Sequence, residues 1–409
     1  MATLHERASS SSSPHPRLIH LPYELINNIA AFLTRQDFIN FRLSSRTVSA
    51  CTTPLLALTC FDGVPWRTDG KRLHELSHIP SCARRIRSVK FNMARMVEEE
   101  VEYATSRFIN ADELNRRWGS YLMTQDVFLG PIELPLDLVI PALKRLPNLD
   151  TICLTWTHCP WDDHFDISDV FDREKSLEMA SNEIYDTQDA VLEALLQRNT
   201  PMKSLTIEPF LHTELTIPSG LKVNVSTVLG SVTQLHLEVQ YEIVSFEPKR
   251  LDDWISLMPN IRDLRVHSCP VNNPAPDIDF FITKRLKNLE KLDLSCLQFN
   301  FVNFSRLITN HASTLNEVRL ESLWGWCDPF SAEEIDWDMM FQLMNKKLEV
   351  LEKVRINGTF SDNVGWHQLF FHGDLIWAEA LARIMGEISE PLETFILKGG
   401  EYPRPRWII

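Results

Sequence analysis

Histidine and cysteine can ligate metals, and both can act as nucleophile or base near neutral pH. His158, Cys159 and His164 stand close together, and His267 precedes Cys269. A zinc site needs a second ligand pair at fixed spacing, and neither group has one. His74 and His78 are one helical turn apart in RLHELSHIP but have no third ligand. The 8 cysteines contain no CxxC pair, and the motifs GxSxG, HExxH, GxxxxGKS/T and GxGxxG do not occur. The chain is therefore expected not to be an enzyme and to carry no metal or cofactor. The chemistry that remains is recognition.

Two groups of residues fit that role. Trp156, Trp161, Asp162, Asp163, Phe165 and Asp166 form one, and Trp324, Trp326, Asp328, Phe330, Glu333, Glu334, Asp336 and Trp337 the other. Tryptophan is enriched at interface hot spots, and carboxylates beside it select a basic partner. The expected target-binding residues are Trp156, Trp161, Asp162, Asp163, Trp324, Trp326 and Trp337. The competing reading is that these rings plug gaps in an irregular core. A third cluster, Trp366, His367, Phe370, Phe371, His372 and Trp377, reads as helix core.

The 409 residues include 55 Asp+Glu, 41 Lys+Arg and 44% hydrophobic residues, an ordinary folded composition. A net charge of −14 argues against a nucleic-acid partner, and no apolar run is long enough to span a membrane. Residues 1–96 carry +7 and residues 97–409 carry −21, a basic head on an acidic body. The N-terminus has no apolar stretch of signal-peptide type, and with scattered cysteines this points to a cytoplasmic or nuclear setting. Residues 1–16 read as a disordered, Ser-rich tail.

Order is expected from about Leu18. Pro22 suits a first helical turn, and Leu21, Leu25, Ile29 and Leu33, with Ile26 beside them, form an apolar stripe. Asp37 is a candidate cap for a second helix with Phe38, Phe41 and Leu43, and Ser44 or Ser45 for a third. So small a unit cannot bury its own apolar surface and needs a cover. One reading is a helical cap packed on the next domain.

The other is a family resemblance. The spaced series Leu21, Pro22, Glu24, Leu25, Ile29, Leu33, then Asp37, Phe38, Leu43, Arg46, resembles the F-box of cullin–RING ubiquitin ligase receptors. The usual third-helix tryptophan is absent, and RLSSR stands in its place, as in fungal-type sequences. The resemblance implies a three-helix F-box over residues 17–60 that docks on an SKP-type adaptor, and through it on a cullin. The contact residues it implies are Leu21, Pro22, Leu25, Ile26, Ile29, Leu33, Phe38 and Leu43.

Residues 61–409 carry a repeat of the form L-x-x-L-x-L. It begins at Ile86, Leu149, Met202, Val232, Ile261, Leu289, Leu315, Leu351 and Leu392, each followed by apolar residues three and five positions on. Helix-like segments such as AVLEALLQRNTPM and WDMMFQLMNKKLEVL lie between the matches. Strand and helix alternating at this period predict an α/β fold: a curved solenoid resembling leucine-rich repeats, parallel strands on the concave face and helices on the convex face. A doubly wound α/β domain is the rival. It would need a Gly-rich phosphate loop, which is missing.

The usual Asn or Cys at repeat position 9 occurs once, as Cys269, so the turns must satisfy their backbone groups by other means. Long insertions are expected at about 97–148, 155–188 and 321–338. The combination implies a substrate-recognition subunit of an SCF-type ubiquitin ligase. The alternatives are an interaction scaffold that delivers no substrate, or a small-ligand-dependent sensor. The acidic body points to a target with a basic patch and away from a phosphate reader, which needs clustered arginine.

Overall fold

Eight of the nine L-x-x-L-x-L segments are strands in the computed structural model. It describes residues 25–26, 29, 33, 35–49, 52, 59–63, 68–93, 134–156, 181–210, 219–239, 254–268, 286–327, 335–362, 368–370 and 389–403. The chain divides into two units, Met1–Thr59 and Cys60–Ile409.

In the first unit, Leu25, Ile26 and Ile29 are helical, and α1 spans Arg35–Leu43. Asp37 lies in the first turn of α1 rather than capping it, where a carboxylate still favours the positive end of the helix. Ser45 Oγ accepts from the Thr47 amide at the start of a further helical stretch, 46–49. Ile26, Val48 and Thr52 are buried. Arg42 donates to Thr52 Oγ1 at 3.1 Å and to Ser49 Oγ at 3.2 Å, tying α1 to that stretch.

The second unit is mixed α/β. Strand β1 (Cys60–Gly63) precedes α2 (Asp69–Ser77), α3 (Pro80–Ala83) and β2 (Ser88–Asn92). Then follow α4 (Leu136–Arg145), β3 (Thr151–Thr155), α5 (Ser181–Arg198), β4 (Ser204–Phe210), α6 (Lys222–Val228), β5 (Gln234–Val239) and β6 (Asp263–Ser268). The rest comprises β7 (Lys291–Ser295), β8 (Gln298–Asn300), α7 (Phe301–Asn310), β9 (Glu317–Glu321), β10 (Trp324–Trp326) and α8 (Trp337–Lys347). It ends with β11 (Lys353–Asn357), β12 (Thr359–Asp362), β13 (Gln368–Phe370) and α9 (Ser389–Lys398).

Nine strands form one parallel sheet in the order β1-β2-β3-β4-β5-β6-β7-β9-β11, so each main-sheet strand lies beside the one before it. Apolar positions four and six of each repeat, such as Leu235 and Leu237 or Leu264 and Val266, are buried in one core with the helices. Alternate residues on the other side are polar, as period-two geometry requires.

One backbone contact recurs at every step from β2 to β11. A single carbonyl ahead of each main-sheet strand from β2 to β9 accepts two successive amides from the next repeat: Arg87 from Asp150 and Thr151, then Asp150 from Lys203 and Ser204. Lys203, Thr233, Arg262, Glu290 and Asn316 continue the series. Asparagine reinforces it, since Asn148 Nδ2 donates to the Arg84 carbonyl and Asn260 Nδ2 to that of Gly230.

After the last three main-sheet strands, the missing position-9 side chains are replaced by a second sheet, β13-β12-β10-β8. After β7, β9 and β11 the chain turns through Cys296 (φ 56), Ser322 (φ 50) and Gly358 (φ 75). These are small residues in the left-handed region, which favours glycine. A Cβ on Gly358 would lie 2.1 Å from Ser322 Oγ. Buried Leu297 and Leu323 follow, and then β8 and β10 pair in parallel. Backbone groups leaving these strands are thus paired by strand hydrogen bonds instead of a side-chain ladder.

Three sequence expectations need correction. The ninth match, Leu392-Phe395-Leu397, lies in helix α9, because its first two apolar positions are three apart, a spacing a helix shares. Leu392, Phe395 and Ile396 make the buried helical face. Glu393 of α9 accepts from the Ile356 amide of β11 at 2.8 Å, so the helix satisfies a group on the terminal strand. The segment 321–338 is not an insertion, since it contains β10 and starts α8. Within 97–148, residues 136–145 form α4, and α5 begins inside 155–188. Residues 97–133 and 157–180, including the charged stretch 101–123, lie outside the described residues.

Candidate functional site

In the helical module, burial separates residues that sequence spacing groups together. Ile26 is 1% exposed, whereas Leu25 is 47%, Ile29 39% and Leu43 80% exposed. Leu25 and Ile29 are four apart, hence neighbours on one helical face. Leu33 is half-buried, α1 carries Phe38, and Leu21 and Pro22 lie outside the described residues. The module thus keeps Ile26 for its own core and presents Leu25, Ile29 and Leu43 outward. Ile26 is accordingly removed from the expected contact set.

The tryptophans divide similarly. Trp156 and Trp337 are fully buried, which corrects the expectation that they contact a target: no ring surface is left to a partner. Trp337 sits among Phe299, Phe301, Phe341 and Phe360 at centroid distances of 4.7–5.5 Å. Trp324 and Trp326 are half-buried on one side of β10, because Gly325 between them faces the Phe301 ring. A Cβ on Gly325 would come within 2.0 Å of that ring, so inversion of the strand is blocked. Trp161, Asp162 and Asp163 lie outside the described residues, as does most of the 366–377 cluster.

The polar face of the main sheet is a feature the sequence reading missed. Across β5 to β11 the register sets His236, Arg265, Asp293, Arg319 and Arg355 in one row. Arg265 bonds Asp263 at 3.2 Å, Lys291 bonds Glu317 at 2.9 Å, and Arg319 bonds Glu321 at 2.8 Å. The signal was present as charged or histidine residues at position five of five successive matches, His236 to Arg355, legible once the strands are aligned.

Near the centre, His236 Nε2 lies 3.3 Å from Glu208 and His267 Nε2 3.2 Å from Asp293, with the two rings 5.0 Å apart. Burial pushes the His236 pKa down from 6.5 to about 4, against the opposing pull of Glu208. For Asp293, burial raises the pKa, but His267, Arg319 and Arg265 together hold it below the usual carboxylate range. Cys153, pushed up to about 12 by burial, is held as a thiol and is no nucleophile at neutral pH.

A consequence for stability follows. The unfolded chain takes up the His236 proton near pH 6.5 and the folded chain only near 4, so stability falls as pH drops through that window. His236→Gln is expected to flatten this limb, measured as melting temperature between pH 7 and 4. Parallel wild-type and variant curves would refute it.

Among the described residues, no group of three or more His, Cys, Asp or Glu is placed to hold a metal ion. No described helix is long and apolar enough to cross a membrane.

A family model for the F-box domain matches residues 18–53. An F-box domain therefore occupies the N-terminal unit, and at the family level such domains serve as SCF-type adaptors that bind SKP-type proteins. No curated protein matches the chain significantly.

Proposed function

We propose that the chain is the substrate-recognition subunit of an SCF-type cullin–RING ubiquitin ligase. The observation that carries this reading is an F-box domain with outward Leu25, Ile29 and Leu43, joined to a large unit of repeated strands. Exposed apolar side chains on so small a module gain free energy only when a partner covers them. The adaptor is that partner. The second unit, as a curved leucine-rich-repeat-like solenoid with strands on the concave face, holds the target protein. Its in-order parallel sheet and repeated carbonyl contact support that architecture.

The chain acts by proximity, not by chemistry of its own. Holding a target beside a charged conjugating enzyme turns a bimolecular encounter into an effectively unimolecular one. It needs no cofactor, no metal and no catalytic side chain, and it works where the ligase works, in cytoplasm or nucleus.

Affinity capture of the full chain tests the proposal. An SKP-type adaptor and a cullin should co-purify, and both should be lost from a chain lacking residues 18–53. Adaptor without cullin would favour the scaffold reading. Absence of the adaptor would overturn the assignment.

A further inference from the structure

On β6, β7 and β9 the cations of the polar face are paired. Arg265, Lys291 and Arg319 each bond a carboxylate on their own or the next strand. On β11 the pattern stops. Lys353 and Arg355 are both exposed and point to the same side of the strand. Among the described residues, neither side chain forms an ion pair or hydrogen bond, although both residues pair through the backbone with β9.

The register leaves neither cation a carboxylate of its own, although Glu317, held below its ordinary pKa chiefly by Lys291, also feels Lys353. Lys353 stands opposite Glu317, whose carboxylate is already bonded by Lys291 at 2.9 Å. Arg355 stands opposite Arg319, a like-charge pair on adjacent strands roughly 4.8 Å apart. Like charges directly opposite in a ladder repel, and the sheet backbone holds them there. Arg319 itself is paired with Glu321 at 2.8 Å and Asp293 at 4.0 Å, so Lys353 and Arg355 carry the unpaired charge. An anion laid across this corner relieves the repulsion and fills vacant donors together.

We propose that Lys353 and Arg355, with Arg319 beside them, form a docking point for an acidic segment of the target protein. The inference rests on the reading that this unit holds a target. Two cations on alternate residues of a strand lie about 6.6 Å apart, matching alternate side chains of an extended peptide. An extended segment with aspartate or glutamate at every second position thus gives each cation one carboxylate.

The whole-chain charge of −14 points the other way, towards a basic target. Local charge decides, because at physiological salt exposed charges beyond about 8 Å are largely screened.

Fluorescein-labelled peptides with alternating aspartate, alternating lysine or alternating phosphoserine, titrated into the full chain, test the proposal. The aspartate peptide is expected to bind, more weakly as salt rises. Lys353→Glu with Arg355→Glu should weaken it about tenfold or more, and the Gln versions should fall between. Lys346→Glu with Lys347→Glu, which reverses two exposed charges on α8, should leave it unchanged. Preference for the lysine peptide, binding of the phosphoserine peptide alone, or indifference to the β11 reversals would each overturn the proposal. Adaptor capture should persist in the β11 variants. If the wild-type chain captures no adaptor yet binds the aspartate peptide, the ligase reading fails and the docking point stands.

Discussion

Leu25→Asp combined with Ile29→Asp is expected to abolish capture of an SKP-type adaptor while leaving the melting temperature of the chain unchanged. Both side chains are substantially exposed, at 47% and 39%, and they are one helical turn apart. An exposed apolar side chain contributes little to folding, so its loss costs the free chain little. Covered by a partner, each is worth about 1.5–3 kcal/mol, and a buried unpaired carboxylate adds a desolvation penalty of several kcal/mol. The pair should therefore weaken adaptor binding by roughly a thousandfold or more, beyond the reach of a pull-down.

Ile26→Asp is the informative contrast. That side chain is 1% exposed, so the substitution should unfold the module and lose the adaptor by a different route. Titration calorimetry beside thermal unfolding separates the two cases. Adaptor affinity that survives the Leu25 and Ile29 changes would show that another face makes the contact.

Trp337→Ala should be the most damaging single substitution in the second unit, at about 3–5 kcal/mol. The ring joins both layers of the C-terminal repeats. It meets Phe299 of β8 and Phe360 of β12 edge-on, at 5.5 and 4.7 Å, and stacks on Phe341 of its own helix at 5.5 Å. Removing it leaves a cavity walled by rings that cannot collapse onto one another, since Phe299 and Phe304 are themselves stacked at 4.4 Å. Because repeat units depend on their neighbours, the loss should appear first as faster amide exchange in β9, β11 and β12. Trp324→Ala, on a half-buried ring, should cost far less. A Trp337→Ala cost below about 1 kcal/mol would contradict the packing described, which places it among core truncations.

The main-sheet strands were legible because alternation at positions four and six separates buried from exposed faces within five residues. The same rule misled at Leu392, where the one-to-four spacing suits helix and strand alike and Gly399 and Gly400 then end a helix. The short strands β8 and β10, QFN and WGW, are too brief for periodicity to register. Their trace in the sequence is the small residue that precedes them at a constant offset from the repeat: Cys296, Ser322 and, before β12, Gly358.

Of the recognition residues, the aromatic type was readable but its direction was not. W-G-W turns its rings outward because glycine alone fits against Phe301. Trp337, at the start of α8, points into the core. The expected F-box contacts form a stripe in the sequence, and only the folded module separates buried Ile26 from its exposed neighbours. The β11 cations were invisible to a count of net charge, because their isolation depends on which carboxylates their neighbours already hold.

The order of the main sheet also bears on how the chain comes off the ribosome. Each new strand finds its partner in the segment synthesised immediately before it, with the receiving carbonyl already in place. The nascent chain thus supplies its own template, and no strand waits for a partner from the far end. Only the last one does: β11 keeps its Ile356 amide unmatched until Glu393 arrives with α9, some forty residues later.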